Sequence, residues 1–420
     1  MERTLTLNGL RWPRILSFIS GIGMMAAAFL TIRHFFIANY PKNIFEGSFC
    51  DISAFLNCDS SAFSAIATII GIPLGYFGLI VGALVVLGTV FPSESFERTN
   101  AFISFFNVLG VIVLFVYSVF FLGSLCLFCA GFYAFAILSF VLFWLYGEGQ
   151  DKGRLFIKFF QPSLKILVTA FFITALGAYG MIQYHQARKE AQAAVALRIV
   201  KQFRELPLVG NPSFISPYWT VRSTEYFEEA PIQVIEYADF LCSDCLFLTQ
   251  QLDKLKEEFA GKINVVFQFF PLEEKCNTVV DKDIHPGACE LSYIAAYDPA
   301  KFVEIHDEIF ANFNDARNPE WRQELARRYG VEEGLSDPAT QDLIQTIINT
   351  GMEYAKTSDR YTYGIRSTPT MIINGRMIIG TLPYEQMRAI FQDLVEEYEG
   401  RKEFIEHWVP PQSQKSQTIT

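Results

Sequence analysis

The sequence predicts a multi-pass α-helical membrane bundle followed by a soluble α/β domain. Three observations predict it. Residues Thr99–Gly147 contain no Asp, Glu, Lys, Arg or His, and 51% of the 420 residues are apolar, with 41 Phe. The charge is divided: residues 1–184 carry 10 Lys/Arg and 8 Asp/Glu, the remainder 24 and 36, giving +2 and −12. The second part also alternates between strand and helix patterns around a C-x-x-C pair. A chain this long and apolar exceeds one soluble domain. No basic patch marks a nucleic-acid partner.

A bilayer core needs about 20 apolar residues per helix. Ile15–Ile32 is uncharged and reads as a first span, a retained signal anchor. Ser60–Ser93 is uncharged but broken by Gly71, Pro73, Gly75 and Gly78. A short half-helix leading into a second span over Pro73–Phe91 is expected there. Thr99–Gly147 must hold two spans, and Gly123-Ser124 is the natural turn between Ala101–Leu122 and Cys126–Tyr146. A fifth span runs Ile166–Tyr184. Asn107 is expected to hydrogen-bond between helices.

Basic residues mark the cytoplasmic side. Arg3, Arg11 and Arg14 precede the first span, and Lys152, Arg154, Lys158 and Lys165 lie between the fourth and fifth. The loop Asn39–Asp59 carries one Lys and three acids. The N-terminus is then cytoplasmic, and five spans put everything after Tyr184 outside. All eight cysteines fall on that oxidising side, as four close pairs: Cys50/Cys58, Cys126/Cys129, Cys242/Cys245 and Cys276/Cys289.

His185–Leu206, rich in Ala, Gln, Lys and Arg, reads as a helical linker, ended by Pro207, Gly210, Pro212 and Pro217. Pro231–Tyr237 alternates as a strand and runs into Cys242-Ser-Asp-Cys245 and a helix through Phe259. Ile263–Phe270 is a second strand. A helical stretch follows to about Tyr361, then Thr368-Pro369, strand Met371–Ile373, the turn Asn374-Gly375 and strand Met377–Ile379. A Cys at a helix N-terminus has its thiolate stabilised by free N–H groups. Cys242 is expected to be the exposed nucleophile and Cys245 the resolving partner. Half of a zinc site is the bland alternative for this pair. Cys276 and Cys289 read as a structural disulfide, with a zinc site using His285 or a second redox pair as alternatives.

This order resembles the thioredoxin fold, with a helical insertion like that of the DsbA-like branch. The resemblance implies that Pro369 is the cis-proline packed across the C-x-x-C. The dipeptide Ser243-Asp244 departs from the Pro-His of strongly oxidising relatives. A carboxylate beside the thiolate makes the disulfide a weaker oxidant.

A second resemblance covers residues 10–146. Cys50-Asp51-Ile52, Cys58 with seven residues between it and Cys50, Ser64, Gly71-Ile-Pro-Leu74, Cys126-Leu-Phe-Cys129 and Tyr133 are similar to the vitamin K epoxide reductase family, in its bacterial form fused to a thioredoxin-like domain. The resemblance implies a four-helix bundle around a quinone of ubiquinone or menaquinone type. Cys129 would face the quinone together with Phe128 and Tyr133, and Cys126 would receive electrons. Cys50 and Cys58 would shuttle between the soluble domain and Cys126. Ser64 would hydrogen-bond near the active cysteine or the quinone. Ala67 stands where vertebrate relatives carry Asn, so vitamin K epoxide is not the expected substrate.

The expected organisation is a bundle over 1–147, a cytoplasmic loop and fifth helix over 148–184, a helical linker over 185–220, a thioredoxin-like domain over 221–405 and a polar tail over 406–420. The expected function is a thiol:quinone oxidoreductase of a bacterial inner membrane, with the soluble domain periplasmic. It would oxidise reduced secreted or periplasmic proteins through Cys242/Cys245, then Cys50/Cys58, then Cys126/Cys129, with no metal. The rivals are reverse flow as a reductase or isomerase, a zinc-binding membrane protein, and a transporter. The last is disfavoured because the expected spans carry no Asp, Glu, Lys or Arg.

Overall fold

In the computed structural model, residues 11–44, 56–146 and 161–400 are described. Arg3, Cys50, Asp51, Lys152, Arg154, Lys158 and the tail 406–420 lie outside them. The chain divides into two compact units, one holding residues 11–39, 56–146 and 161–188, the other 40–44 and 189–400.

The first unit is helical: α1 (Arg11–Asn39), α2 (Asp59–Phe63), α3 (Gly75–Val90), α4 (Glu94–Phe120), α5 (Leu127–Tyr146) and the first part of α6 (Leu164–Glu205). A two-stranded hairpin, β1 (Thr68–Ile69) and β2 (Ile72–Pro73), separates α2 from α3. Its turn uses Gly71 at φ +76°, a conformation glycine adopts without strain. Among the described residues, four helices are long and apolar enough to cross a membrane: Trp12–Asn39, Glu94–Phe120, Leu127–Tyr146 and Leu164–Ala191. The expected second span is shorter. α3 has 16 residues, about 24 Å of helix against a core of about 30 Å. The broken start foreseen at Gly71–Gly75 is where the hairpin lies, so the helix begins only at Gly75.

α1 packs on α3 and α5, and α4 on α3 and α5, so the four form a closed bundle. α1 and α3 approach closely at Gly21 and Gly82, where a Cβ on either would come within 3.1 Å of the other's carbonyl oxygen. α6 is fastened to α3 by the Tyr76 hydroxyl, which donates to the Thr174 carbonyl at 2.8 Å. His185 on α6 lies 2.6 Å from the Gly71 carbonyl oxygen. Asn107 does not act as expected: its Nδ2 is buried without a hydrogen-bond partner.

The second unit is a five-stranded sheet ordered β3-β5-β4-β6-β7, formed by β3 (Trp219–Val221), β4 (Ile232–Ala238), β5 (Ile263–Phe269), β6 (Thr370–Ile373) and β7 (Arg376–Ile379). β4 and β5 run parallel, joined through α7 (Ser243–Glu258), and the other pairings are antiparallel. Asn374 and Gly375 both take positive φ in the β6–β7 turn, as the hairpin signal predicts. The alternation of β4 sends Ile235 and Tyr237 to one core and Ile232 and Val234 to the other. The first core is closed by the inserted helices α8 (Ala288–Ala296), α9 (Phe302–Ala311), α10 (Pro319–Tyr329) and α11 (Pro338–Met352). The second is closed by α7 and α12 (Tyr384–Tyr398).

The segment read as a linker is more than a spacer. Ala196, Ile199, Val200 and Phe203 at the end of α6 are fully buried in the second core. Ile44 joins them, its N–H donating to Gln202 Oε1 at 3.1 Å. Its composition hid this, because the apolar positions sit between Lys and Arg that face water.

Candidate active site

The first site sits at the start of α5. Gly123, at φ +60°, turns the chain between α4 and α5, and Cys126 and Cys129 follow one helical turn apart. The Cys129 N–H points at Cys126 Sγ, 3.4 Å away. Cys126 and Cys129 are free thiols, and Cys58 is disulfide-bonded. The approach to Cys58 is held by main chain: Asn57 N–H donates to the Leu125 carbonyl at 3.2 Å, and Leu56 bridges Leu125 in parallel. Cys58 and Cys126, each 1% exposed, therefore pack in one cluster with Phe128 and Cys129.

A cavity opens beside these sulfurs. Thr31, His34 and Phe35 line it from one face of α1, Leu114 and Ser118 from α4, and Cys129 and Tyr133 from α5. The spacings i, i+3 and i+4 put each set on one helix face. Cys58, Ser64, Ala67 and Cys126 also reach the cavity. One expectation changes here, that of Phe128. Ser64 reaches the cavity as expected, and its hydroxyl donates to the Ser61 carbonyl at 2.8 Å while its oxygen stays open to accept. Phe128 lies against the sulfur cluster rather than in the cavity wall, its ring 6.1 Å from that of His34.

Two residues here were missed from sequence. α1 continues beyond Ile32, so His34 belongs to the helix, 8% exposed. Its Nε2 lies 2.8 Å from Oδ1 of Asp59, itself 6% exposed, although the contact is off the hydrogen-bond axis. The available signals were an Asp directly after Cys58 and a His three residues after Thr31.

The second site is built at the end of β4. Cys242 is the N-cap of α7 and Cys245 lies in its first turn, both as free thiols. The Thr368–Pro369 bond is cis, and Cys242 Sγ approaches the Thr368 carbonyl oxygen at 3.4 Å. Cys242 is only 2% exposed, so the expectation of an exposed nucleophile is corrected. The cause is non-local: Cys242 packs into the first core and against the Thr368 carbonyl. Cys245 is fully buried, which pushes its thiol up, with the Cys242 sulfur and the Glu236 charge acting in the same direction.

Glu236 was also missed. It is 1% exposed on β4, and its Oε1 has no hydrogen-bond partner. Burial, reinforced by negative charge at Cys242 and Asp253, pushes its carboxyl up to about 8. A Glu within an otherwise apolar strand was the signal. The base of the site is held by Asp239, whose carboxylate accepts from Leu241 N–H at 2.7 Å and Leu272 N–H at 2.6 Å. The same group meets His285 Nδ1 at 2.9 Å. Cys276 and Cys289 form a disulfide, and with His285 on Asp239 the zinc alternative for that loop is set aside.

Residues 14–144 match the model of the vitamin K epoxide reductase family, and residues 227–393 match that of thioredoxin. The chain joins a vitamin K epoxide reductase family domain to a thioredoxin-like domain. Among curated relatives, "Probable disulfide bond formation protein D" of Bacillus cereus is 26% identical over 163 residues, 36% of this chain and 68% of its own. "Na(+)/H(+) antiporter NhaA 1" of Mycolicibacterium gilvum is 27% identical over 154 residues, 35% of this chain. The match spans only 22% of the antiporter's length. Among solved structures, α-DsbA1 of Wolbachia pipientis is 16% identical with a TM-score of 0.33, covering 41% of this chain and 90% of that one. ScsC of Proteus mirabilis in a transitional conformation is 14% identical with a TM-score of 0.32, covering 56% and 97%.

Proposed function

We propose that this vitamin K epoxide reductase–thioredoxin fusion is a membrane thiol:quinone oxidoreductase that makes disulfides in extracytoplasmic proteins. The two matched domains and a relative named for disulfide bond formation support the thiol–disulfide class. The proposed order is substrate dithiol, Cys242/Cys245, Cys50/Cys58, Cys126/Cys129, quinone. The observation that carries it is the burial of disulfide-bonded Cys58 against free Cys126, beside Cys129. Sulfurs so packed can exchange partners without the chain unfolding.

At the soluble end, Cys242 attacks the substrate sulfur from the helix N-terminus, where free N–H groups favour the thiolate. Glu236, whose carboxyl is pushed up to about 8 and is therefore only partly ionised at neutral pH, takes the proton of buried Cys245 as that thiol resolves the mixed disulfide. In the bundle, Cys58 exchanges with Cys126, and Cys129 is left as the thiol facing the cavity. Largely apolar walls with a few polar groups fit a quinone ring edge. A bound quinone supplies an acceptor for two electrons and two protons, the amount one dithiol releases. Tyr133 and His34 are the ionisable side chains other than cysteine in that wall. The basic residues before the first helix and between the fourth and fifth support an inside N-terminus, a bacterial inner membrane and a periplasmic thioredoxin-like domain.

The test is the redox state of Cys242/Cys245 in cells. Cys126→Ser or Cys129→Ser is expected to leave that pair reduced. A pair that stays oxidised in both variants refutes the order.

A further inference from the structure

The buried pair His34–Asp59 has no role in the relay as described so far. Charged or chargeable groups this deep in an apolar bundle are costly to keep. The pair is held between helices that also carry sulfur: His34 on α1, and Asp59 in the first turn of α2, directly after Cys58. His34 lines the same cavity as Cys58, Cys126 and Cys129, and its imidazole is within electrostatic reach of Cys126.

Exchange between Cys58 and Cys126 meets a difficulty that this pair resolves. The attacking species is a thiolate, so a proton must leave the attacking sulfur and reach the leaving one. Both Cys58 and Cys126 are 1% exposed, so bulk water is a poor carrier here. An imidazole is suited to the task, since it takes and gives protons near neutral pH. A carboxylate oxygen 2.8 Å from its Nε2 is close enough to hold the ring in place as a proton moves.

We propose that His34, oriented by Asp59, carries the proton for thiol–disulfide exchange between Cys58 and the Cys126–Cys129 pair. His34 takes the proton from the Cys58 thiol. The Cys58 thiolate attacks Cys126, forming the Cys58–Cys126 bond and breaking Cys126–Cys129. The electron pair of the broken bond stays on Cys129, and His34 returns the proton to it. The step is a rearrangement that consumes no external oxidant. Cys50 then resolves the mixed disulfide. The inference rests on the relay proposed above, but not on the quinone.

The test is single-turnover transfer in the purified full chain without added quinone. A dithiol peptide is mixed with the oxidised protein, and acid-quenched samples are alkylated to follow reduction of Cys126 and Cys129. His34→Gln is expected to slow this transfer by about 100-fold, the lower end for a lost acid–base group. Asp59→Asn is expected to slow it by about 10-fold. Free imidazole is expected to restore most of the rate to His34→Ala, which a merely structural histidine would not allow. A wild-type rate in His34→Gln, or no response of a slowed His34→Ala to imidazole, overturns the inference. If the wild-type chain itself passes no electrons to Cys126 and Cys129, the relay falls and this inference with it. If it passes them to the thiols but not to quinone, only the acceptor assignment falls.

Discussion

Replacing Glu236 with Gln tests whether the soluble site stores a buried acid. The carboxyl is 1% exposed and its pKa stands at about 8 against an ordinary 4.5. Between those values the folded chain holds a proton that the unfolded chain has released. Stability is therefore fully present below pH 4.5 and is lost as pH rises through about 8. The whole gap corresponds to about 5 kcal/mol at most, and relaxation around the charge brings the expected loss to roughly 3 kcal/mol. Glu236→Gln keeps the shape and removes the titration. Pulse proteolysis in urea, following the thioredoxin-like domain within the full chain, measures the difference. At pH 5 the variant is expected to match the wild type closely. At pH 9 it is expected to be more stable by roughly 3 kcal/mol. The same variant is expected to slow release of the mixed disulfide by Cys245, because the proton acceptor is gone. A pH-independent difference between the two proteins would refute the reasoning.

Two further predictions concern the same domain. Asp244→Ala removes a carboxylate next to the thiolate of Cys242, so the reduced form gains; the potential of the Cys242/Cys245 couple, read by glutathione titration, is expected to rise by about 30 mV, or about 1.4 kcal/mol. Asp239→Ala leaves His285 and two backbone N–H groups buried without their acceptor, and is expected to lower stability by about 3–5 kcal/mol in urea unfolding.

The membrane helices and the central strands were legible because each follows a short-range pattern. Uncharged runs gave the spans, and the alternation of Ile232–Ala238 with the turn at Asn374-Gly375 gave the sheet. What escaped depends on contacts between distant segments. Cys242 is buried in a core that includes contacts as distant as the Thr368 carbonyl, 126 residues away. The resemblance pointed to Ser64, but its bond to the Ser61 carbonyl three residues back shows only in the folded chain. His34 was passed over because the uncharged run stops at Ile32, while the helix continues to Asn39. Its significance needs Asp59, which sequence places 25 positions on and folding brings to 2.8 Å. Glu236 was read only as part of a strand, because alternation says which face a residue takes and not how dry that face is. The end of α6 looked like a spacer because its charged residues are interleaved with the apolar ones that insert into the core.

The most direct measurement is quinone reduction by the purified full chain, given a dithiol peptide as donor and a short-chain ubiquinone or menaquinone as acceptor. One quinol is expected per disulfide formed in the peptide, with the yield abolished by Cys129→Ser and by Cys58→Ser. A chain whose Cys126/Cys129 pair becomes reduced while the quinone remains oxidised would contradict the account.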